Sequence, residues 1–472
     1  MKQKYKIYMT CGISGMIILL ASCKVGPDYH PPSADTPKSW LSAKLQPDSD
    51  KKTEIEKGWW KHFNDPVLDE LIDKGIAGNF DLKIAGARIE EARATREYAK
   101  EDLLPTADVK ADGNRQANRI AFGNTPFDLA KPFNTFEAGF DASWELDLFG
   151  GKRRALEADT ALFTAEIYSR DDARVQMLAE IARVYVDIRR YQAEIAIADD
   201  TVKSAEETVK ITNERFENGS TSKLDFLQAT TELMQVKSQA IAYQNLLAQS
   251  EYQLDLLLGK NPGEAHKIVS AVKPIPTGDD KLVIAAPAEV IAKRPDVRVA
   301  ERKLAASTAK HGVAIAKLYP DISLSGFIGT LNTNSDKLLS ATSKSWDFGG
   351  TLLWPILDYG RLSANIKAAK AEEKEALITY QKAVINALID VERSLTAYNK
   401  ENENSELVEK AVAENQNTVD IAKQRYNAGI TSFTDVLDAE RNLYTAQTKL
   451  ADSNANKAQD FIAVYKSLGG GW

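Results

Sequence analysis

Two cysteines and four histidines in 472 residues leave little from which a thiolate or imidazole site could be built. Cys11 and Cys23 both lie near the N-terminus, and His30, His62, His266 and His311 stand far apart, none in a ligand-spaced pair. Neither H-E-x-x-H nor C-x-x-C occurs, so no metal site is expected. A basic block is also lacking. The formal charge is −7, which argues against nucleic acid as a partner. Beyond the first two dozen residues, no apolar run approaches the roughly 20 residues of a membrane helix, so any crossing of a bilayer must be made by strands. From Lys152 to Glu217 there is neither proline nor glycine. At about 1.5 Å per residue, that stretch predicts a helix on the order of 100 Å long.

What is present begins with a leader. Lys2, Lys4 and Lys6 precede an apolar run through Ile13 and Met16–Leu20, which meets Ala21-Ser22-Cys23. This is the pattern of a secretory signal peptide over residues 1–22. Leu20-Ala21-Ser22-Cys23 resembles the bacterial lipobox, in which the cysteine is acylated and becomes the mature N-terminus; the alternative is an ordinary leader with a chance cysteine near its end. With the leader and its three lysines removed, the charge moves to −10. No free thiol then remains, and the lipid on Cys23 is the only attached group expected, with no cofactor.

The rest is written twice. Arg215-Phe216-Glu217-Asn218-Gly219-Ser220-Thr221-Ser222 returns as Arg425-Tyr426-Asn427-Ala428-Gly429-Ile430-Thr431-Ser432, displaced by 210 residues. Trp144–Gly150 returns as Trp354–Gly360, and Gly259 as Gly469, at the same offset. Asn79–Pro105 returns as Arg294–Pro320, displaced by 215. An extended anchor segment (23–64) is therefore expected before a first repeat (65–261), a proline-rich linker (262–286) and a second repeat (287–472). Each repeat reads as helix, two strands, long helix, break and second helix, with the breaks at 215–225 and 425–435.

Along the first long helix Ile181, Val184, Ile188, Tyr191, Ile195 and Ala198 recur at steps of three and four, a narrow seam of coiled-coil type. Phe136, Ala138, Phe140, Ala142, Trp144, Leu146 and Leu148 instead alternate with Glu137, Gly139, Asp141, Ser143, Glu145 and Asp147. That period of two gives one apolar and one acidic face. In an exported chain it suits a barrel strand with lipid outside and water inside. Further strands are expected near 105–119, 322–328 and 348–356, with Pro355 at the end where strand gives way to helix. Four strands cannot close a barrel, so several chains must contribute. Phe149-Gly150-Gly151-Lys152-Arg153 superficially suggests a phosphate loop, but lacks the earlier glycine and the Ser or Thr after the lysine; it reads as a strand-to-helix corner.

Together these residues resemble the outer-membrane factor family, the TolC-like channels, in its lipid-anchored OprM/NodT-type branch. Cys23-Lys24-Val25-Gly26-Pro27-Asp28-Tyr29, Trp59-Trp60 and Phe63-Asn64-Asp65-Pro66 carry the resemblance, which extends over 23–472. It implies a mainly α protein with a membrane β-barrel: a homotrimer with a 12-stranded barrel, four strands per chain, continued by a tunnel of long coiled-coil helices. The location implied is the bacterial outer membrane, with the tunnel in the periplasm. The partners implied are outer-membrane lipids, a periplasmic adaptor and an inner-membrane transporter of the RND type. The two breaks become hairpin turns at the periplasmic tip, with Gly219, Ser220, Thr221, Ser222, Gly429, Thr431 and Ser432 as adaptor contacts. Asp225 and Tyr426 match a hydroxyl–carboxylate link that keeps the tip closed, and Asp435 and Asp438 match acidic rings at the aperture. Thr431 departs from the TolC-type member, which carries a basic latch residue there. Asp225 has a second reading, as a helix cap.

The function implied is the exit channel of a tripartite efflux system for drugs or other small molecules, with no enzymatic activity. A channel for protein secretion or metal export shares nearly every feature, and a lipid-anchored coiled-coil scaffold is the rival of another class.

Overall fold

The computed structural model describes residues 24–33, 35–42, 58–117, 120–122, 125–127, 132–278 and 284–470. The leader and Cys23 lie outside the described residues. In chain order the helices are α1 (Pro66–Gly78), α2 (Phe80–Glu101), α3 (Gly151–Glu217), α4 (Lys223–Leu257), α5 (His266–Val269), α6 (Pro287–Lys293), α7 (Pro295–Ala316), α8 (Tyr359–Asn427) and α9 (Phe433–Ser467). The strands are β1 (Thr106–Gln116), β2 (Ile120–Phe122), β3 (Thr125–Phe127), β4 (Phe133–Leu146), β5 (Asp321–Asn332) and β6 (Lys344–Leu353). Both α4 and α9 have 35 residues and begin 210 positions apart, so the duplication read from the sequence is a duplication of structure. The chain divides into two compact units. One holds the chain up to Pro32 with Ile89–Glu166 and Ala300–Tyr380, the other Ser33–Arg88, Ile167–Val299 and Gln381–Trp472.

In the first unit β1, β4, β5 and β6 form an antiparallel sheet in the order β1-β4-β5-β6. Register decides what each face presents. Val109, Phe140, Ile328 and Trp346 lie side by side across all four strands, and each is more than half exposed. Ala107, Ala142, Gly326 and Phe348 form the next row of that face. On the opposite face one row is Asp108, Asp141, Phe327 and Asp347. An exposed apolar row this wide is costly in water and fits the hydrocarbon of a bilayer. Trp144 and Trp354, 210 residues apart, donate their indole N–H to the carbonyls of Leu103 (3.0 Å) and Leu318 (3.1 Å), where strands meet helices. Pro355 follows the end of β6 and precedes α8. A short β2–β3 hairpin extends the loop between β1 and β4, an addition to the expected strands.

The corner after β4 is built by Asp147. Its carboxylate accepts the backbone N–H groups of Lys152 (3.1 Å) and Arg153 (3.0 Å), so the helix start that superficially suggested a phosphate loop is filled by the chain's own anion. One turn on, Arg154 is fully buried and gathers the N-terminal segment. It donates to the carbonyls of Val25 (3.1 Å) and Gly26 (3.1 Å) and to the carboxylates of Asp28 (2.9 Å) and Glu157 (2.9 Å).

The core of the second unit forms where α1 and the preceding turn meet α3 and α9. Trp59 stacks on Tyr465 at 5.9 Å, and Leu68, Leu71, Leu178, Ile181 and Ile188 are wholly buried beside them. The expected seam is there but is broader than its period suggested. Tyr191 and Ile195 are half-buried, whereas Arg189, Gln192 and Glu194 are buried. Arg189 is accommodated because its guanidinium donates to the carbonyls of Val269 (3.1 Å) and Ala271 (2.6 Å) and lies over the Tyr185 ring. Those carbonyls belong to the segment read as the linker between the repeats. The described part of that segment is packed: it contains α5, it buries Ala265 and Val269, and Asp255 accepts the N–H groups of Gly263 (2.7 Å) and Ala265 (2.6 Å).

Glu194 has a pH consequence. Burial, and next the Asp452 carboxylate, push it up to about 7, while Arg190 pulls the other way. The groups facing it are Arg190 and Asp187 on α3, Asp452 and Tyr444 on α9, and Tyr243 on α4. Asp460, buried beside Glu401, rises to about 6. A carboxyl raised on folding binds a proton that the unfolded chain has released. Its contribution is therefore full below the ordinary carboxyl range and is lost as pH rises through about 7. The melting temperature of the protein in detergent is expected to fall between about pH 5 and pH 8. Glu194→Gln should flatten that fall, and an unchanged profile in the variant would remove Glu194 as its source.

Candidate functional site

The two breaks in the long helices are the candidate site. At the end of α3 the N–H of Gly219 donates to the carbonyl of Phe216 (2.9 Å) and that of Ser220 to Arg215 (2.8 Å). At the end of α8, Gly429 donates to Tyr426 (3.0 Å) and Ile430 to Arg425 (2.9 Å). This paired closure needs a left-handed residue, and Gly219 (φ 69°) and Gly429 (φ 72°) supply it. The next helix then starts within three residues. Ser222 and Ser432 are the N-caps, each accepting the N–H of the residue three further on, Asp225 (3.2 Å) and Asp435 (3.3 Å).

Two of the three acids expected at the gate, Asp225 and Asp435, are therefore part of the caps. Thr221 donates its hydroxyl to the Asp225 carboxylate, and Thr431 does the same to Asp435. Asp435 also accepts the N–H (3.0 Å) and the hydroxyl (2.8 Å) of Ser432, which closes a capping box. The hydroxyls of Thr431 and Ser432 hold the Asp435 carboxyl below its usual range. Ser222, not Asp225, is the cap residue itself, because Ser222 has extended backbone while Asp225 already lies in the first turn of α4. Thr431, where a basic latch was missing, is the cap's hydroxyl donor. Asp438 is exposed, with the Arg441 guanidinium at 3.9 Å; Arg441 is engaged more closely by Glu232 at 2.5 Å.

The two turns are brought together by Arg215. Its guanidinium lies 4.8 Å over the ring of Tyr426 and donates to Asn427 Oδ1 (3.2 Å). Tyr426 packs below it against Phe433, with Ala229 and Leu437 in the same cluster. Among the described residues no hydrogen bond joins Tyr426 to Asp225 within the chain. Gly219, Ser220, Ser222, Gly429 and Ser432 are exposed, and Thr221 and Thr431 are half-exposed. Arg215 was visible in the sequence only as one of the repeated residues. Its partner is a ring 211 positions away, which no local pattern announces.

Paired long helices closed by capped turns, with a sheet apolar on one face and acidic on the other, define an outer-membrane channel protein. The chain belongs to the outer membrane efflux protein family, whose sequence profile matches residues 71–260 and 286–470. It is 30% identical to the solvent efflux pump outer membrane protein SrpC of Pseudomonas putida over 468 residues, 97% of each chain. It is also 30% identical to nodulation protein T of Rhizobium leguminosarum bv. trifolii over 455 residues, 96% of each. Among solved structures it is similar to the outer-membrane channel OprN, with a TM-score of 0.88 and 31% identity over 95% of this chain and all of that one.

Proposed function

We propose that this protein is the exit channel of a tripartite efflux system, carrying drugs or other small molecules from the periplasm to the exterior. Three copies, each held by a lipid on Cys23, complete a 12-stranded barrel, the free edges of β1 and β6 pairing between neighbours. The observation that supports this best is the four-strand register: the middle rows of one face are apolar and those of the other mostly polar, as a wall between lipid and water requires. The periplasmic tips are the gate. Asp225 and Tyr426 link neighbouring hairpins, Asp435 and Asp438 ring the aperture, and the small residues of both turns receive a periplasmic adaptor engaged with an RND-type transporter. Adaptor contacts replace closed-tip links, a shift between two states.

Single-channel conductance in planar bilayers tests the gate. Wild-type steps are expected to be small or rare, and to grow several-fold in Tyr426→Phe combined with Asp225→Ala. Large wild-type steps that the double variant leaves unchanged would discard this link and keep the channel. Folded protein without any steps would discard the channel.

A further inference from the structure

Glu194 is buried on α3 at 3% exposure, and its Oε2 meets no hydrogen-bond donor among the described residues. The charge of Arg190, one turn earlier, acts on it, but the guanidinium points its hydrogen bonds elsewhere. One terminal nitrogen lies 3.1 Å from Asp187 and donates to the Tyr191 hydroxyl (2.8 Å), and the other donates to Asp452 (3.4 Å). Arg183 reaches Asp187 at 3.4 Å and is held more closely by Glu180 at 2.6 Å. The group that Glu194 meets by a hydrogen bond is the carboxyl of Asp452 on α9. Two carboxylates are both acceptors, so such a bond exists only where the pair shares a proton. The hydroxyls of Tyr243 on α4 and Tyr444 on α9 face the same pair and bring no positive charge.

This joint connects the two hairpins. Glu194 belongs to the first (α3–α4) and Asp452 to the second (α8–α9). Glu194 stands 25 residues before Gly219, and Asp452 stands 20 residues after Ser432. At about 1.5 Å per residue the joint lies roughly 30–40 Å along the helices from the turns. Nearer the turns the hairpins also meet through Arg441 with Glu232 (2.5 Å) and through Arg215 with Tyr426 and Asn427. Neither of those contacts depends on a proton shared between two acids.

We propose that the proton between Glu194 and Asp452 is a regulatory ligand: bound, it ties α9 to α3 and keeps the two hairpins of a chain together; released, it lets them part and favours the open tips. The device rests on the tip-gated channel proposed above and adds what biases the gate. Its sign follows from linkage. In the joined state burial, and next the Asp452 carboxylate, raise Glu194 to about 7, whereas carboxyls parted into water ionise in the ordinary range. The joined state therefore binds the extra proton, and its advantage is lost as pH rises through about 7. Arg190 softens the repulsion that follows, and Asp187 adds to it. Tyr243 and Tyr444, both pushed above the ordinary phenol range, stay neutral throughout.

The test uses the full-length protein. In planar bilayers at constant salt, the wild-type open fraction is expected to rise about tenfold or more between about pH 6 and pH 8. Glu194→Gln keeps a hydrogen bond to Asp452 without a titrating proton, and should stay closed and flat over that range. Asp438→Asn, an exposed acid near the turn, should keep the wild-type slope. A second readout does not require a channel: spin labels on Lys203→Cys of α3 and Lys449→Cys of α9, in detergent, should move apart as pH rises, and should not do so when Glu194→Gln is added. A label distance that is constant with pH in the otherwise wild-type protein would overturn the proposal. So would a Glu194→Gln protein whose open fraction keeps the wild-type slope. Labels that part with pH in a folded protein giving no conductance steps would leave the proton-linked joint standing and bring down the channel reading on which its gating role rests.

Discussion

Gly329→Val is expected to abolish barrel assembly while leaving the helices folded. In the register of β4 and β5, Gly329 faces Gly139. A Cβ on Gly329 would stand 2.3 Å from the Ala138 carbonyl oxygen and 2.6 Å from the Gly139 Cα, and one on Gly139 would stand 2.5 Å from the Ile328 carbonyl oxygen. Those obstacles are backbone and cannot turn aside. The ring of Phe327, on the acidic face, covers the same two glycines. A side chain there must push apart the central strand pair or shift its register. A shift of one residue would put Phe140 and Trp144 on the face of Phe327 and Asp347. The cost lies above the roughly 1–3 kcal/mol of ordinary overpacking, because no rotamer relieves it. Heat-modifiable mobility on a gel reports the barrel, and far-ultraviolet circular dichroism reports the helices. A Gly329→Val protein with a normal heat-modifiable band would show that the two strands do not meet in this register.

Arg154→Ala is expected to release the N-terminal segment from the start of α3. The guanidinium is fully buried and meets four acceptors, two of them carbonyls of that segment. Its removal takes a donor from the Val25 and Gly26 carbonyls and leaves a buried space, at a cost on the order of 3 kcal/mol, although Glu157 keeps Lys24 (2.7 Å) and Asp28 is open to water. Lysine should not rescue it, since a single ammonium cannot reproduce the fork that serves Val25, Gly26, Asp28 and Glu157 together. The expected result is rapid proteolysis after Lys24 and a lower melting temperature, in the alanine and lysine variants alike. Wild-type protease resistance in Arg154→Ala would mean that other contacts hold the segment. The position matters because Cys23 directly precedes it: on the proposed reading, Arg154 sets where the lipid anchor stands relative to the sheet.

Much of this architecture was legible because it rests on local rules. A period of two over Phe136–Leu148 identified the strand, which ends two residues earlier at Leu146, and the lack of proline and glycine after Gly151 identified α3. Positive-φ glycines followed by Thr-Ser marked both turns. The repeat offset linked the halves with no structural information. Other features depended on residues far apart in the chain. The burial of Arg189 required the carbonyls of Val269 and Ala271, and that of Glu194 required α9 packed across α3. The prolines marked a linker, but not that Asp255 and Arg189 fasten its described part. Asp225 invited a reading as cap or latch, and its place in the first turn, with Thr221 on its carboxylate, followed only from where Ser222 ended the extended backbone.

By itself, then, the sequence determined the class of elements, the duplication and the two faces of the sheet, because periodicity and turn chemistry act over a few residues. Tertiary structure alone decided which charges are buried, which strands share a row and that Arg215 bridges the hairpins. Each of those depends on partners separated by 18 to more than 200 positions, brought near only by the packing of whole helices and strands.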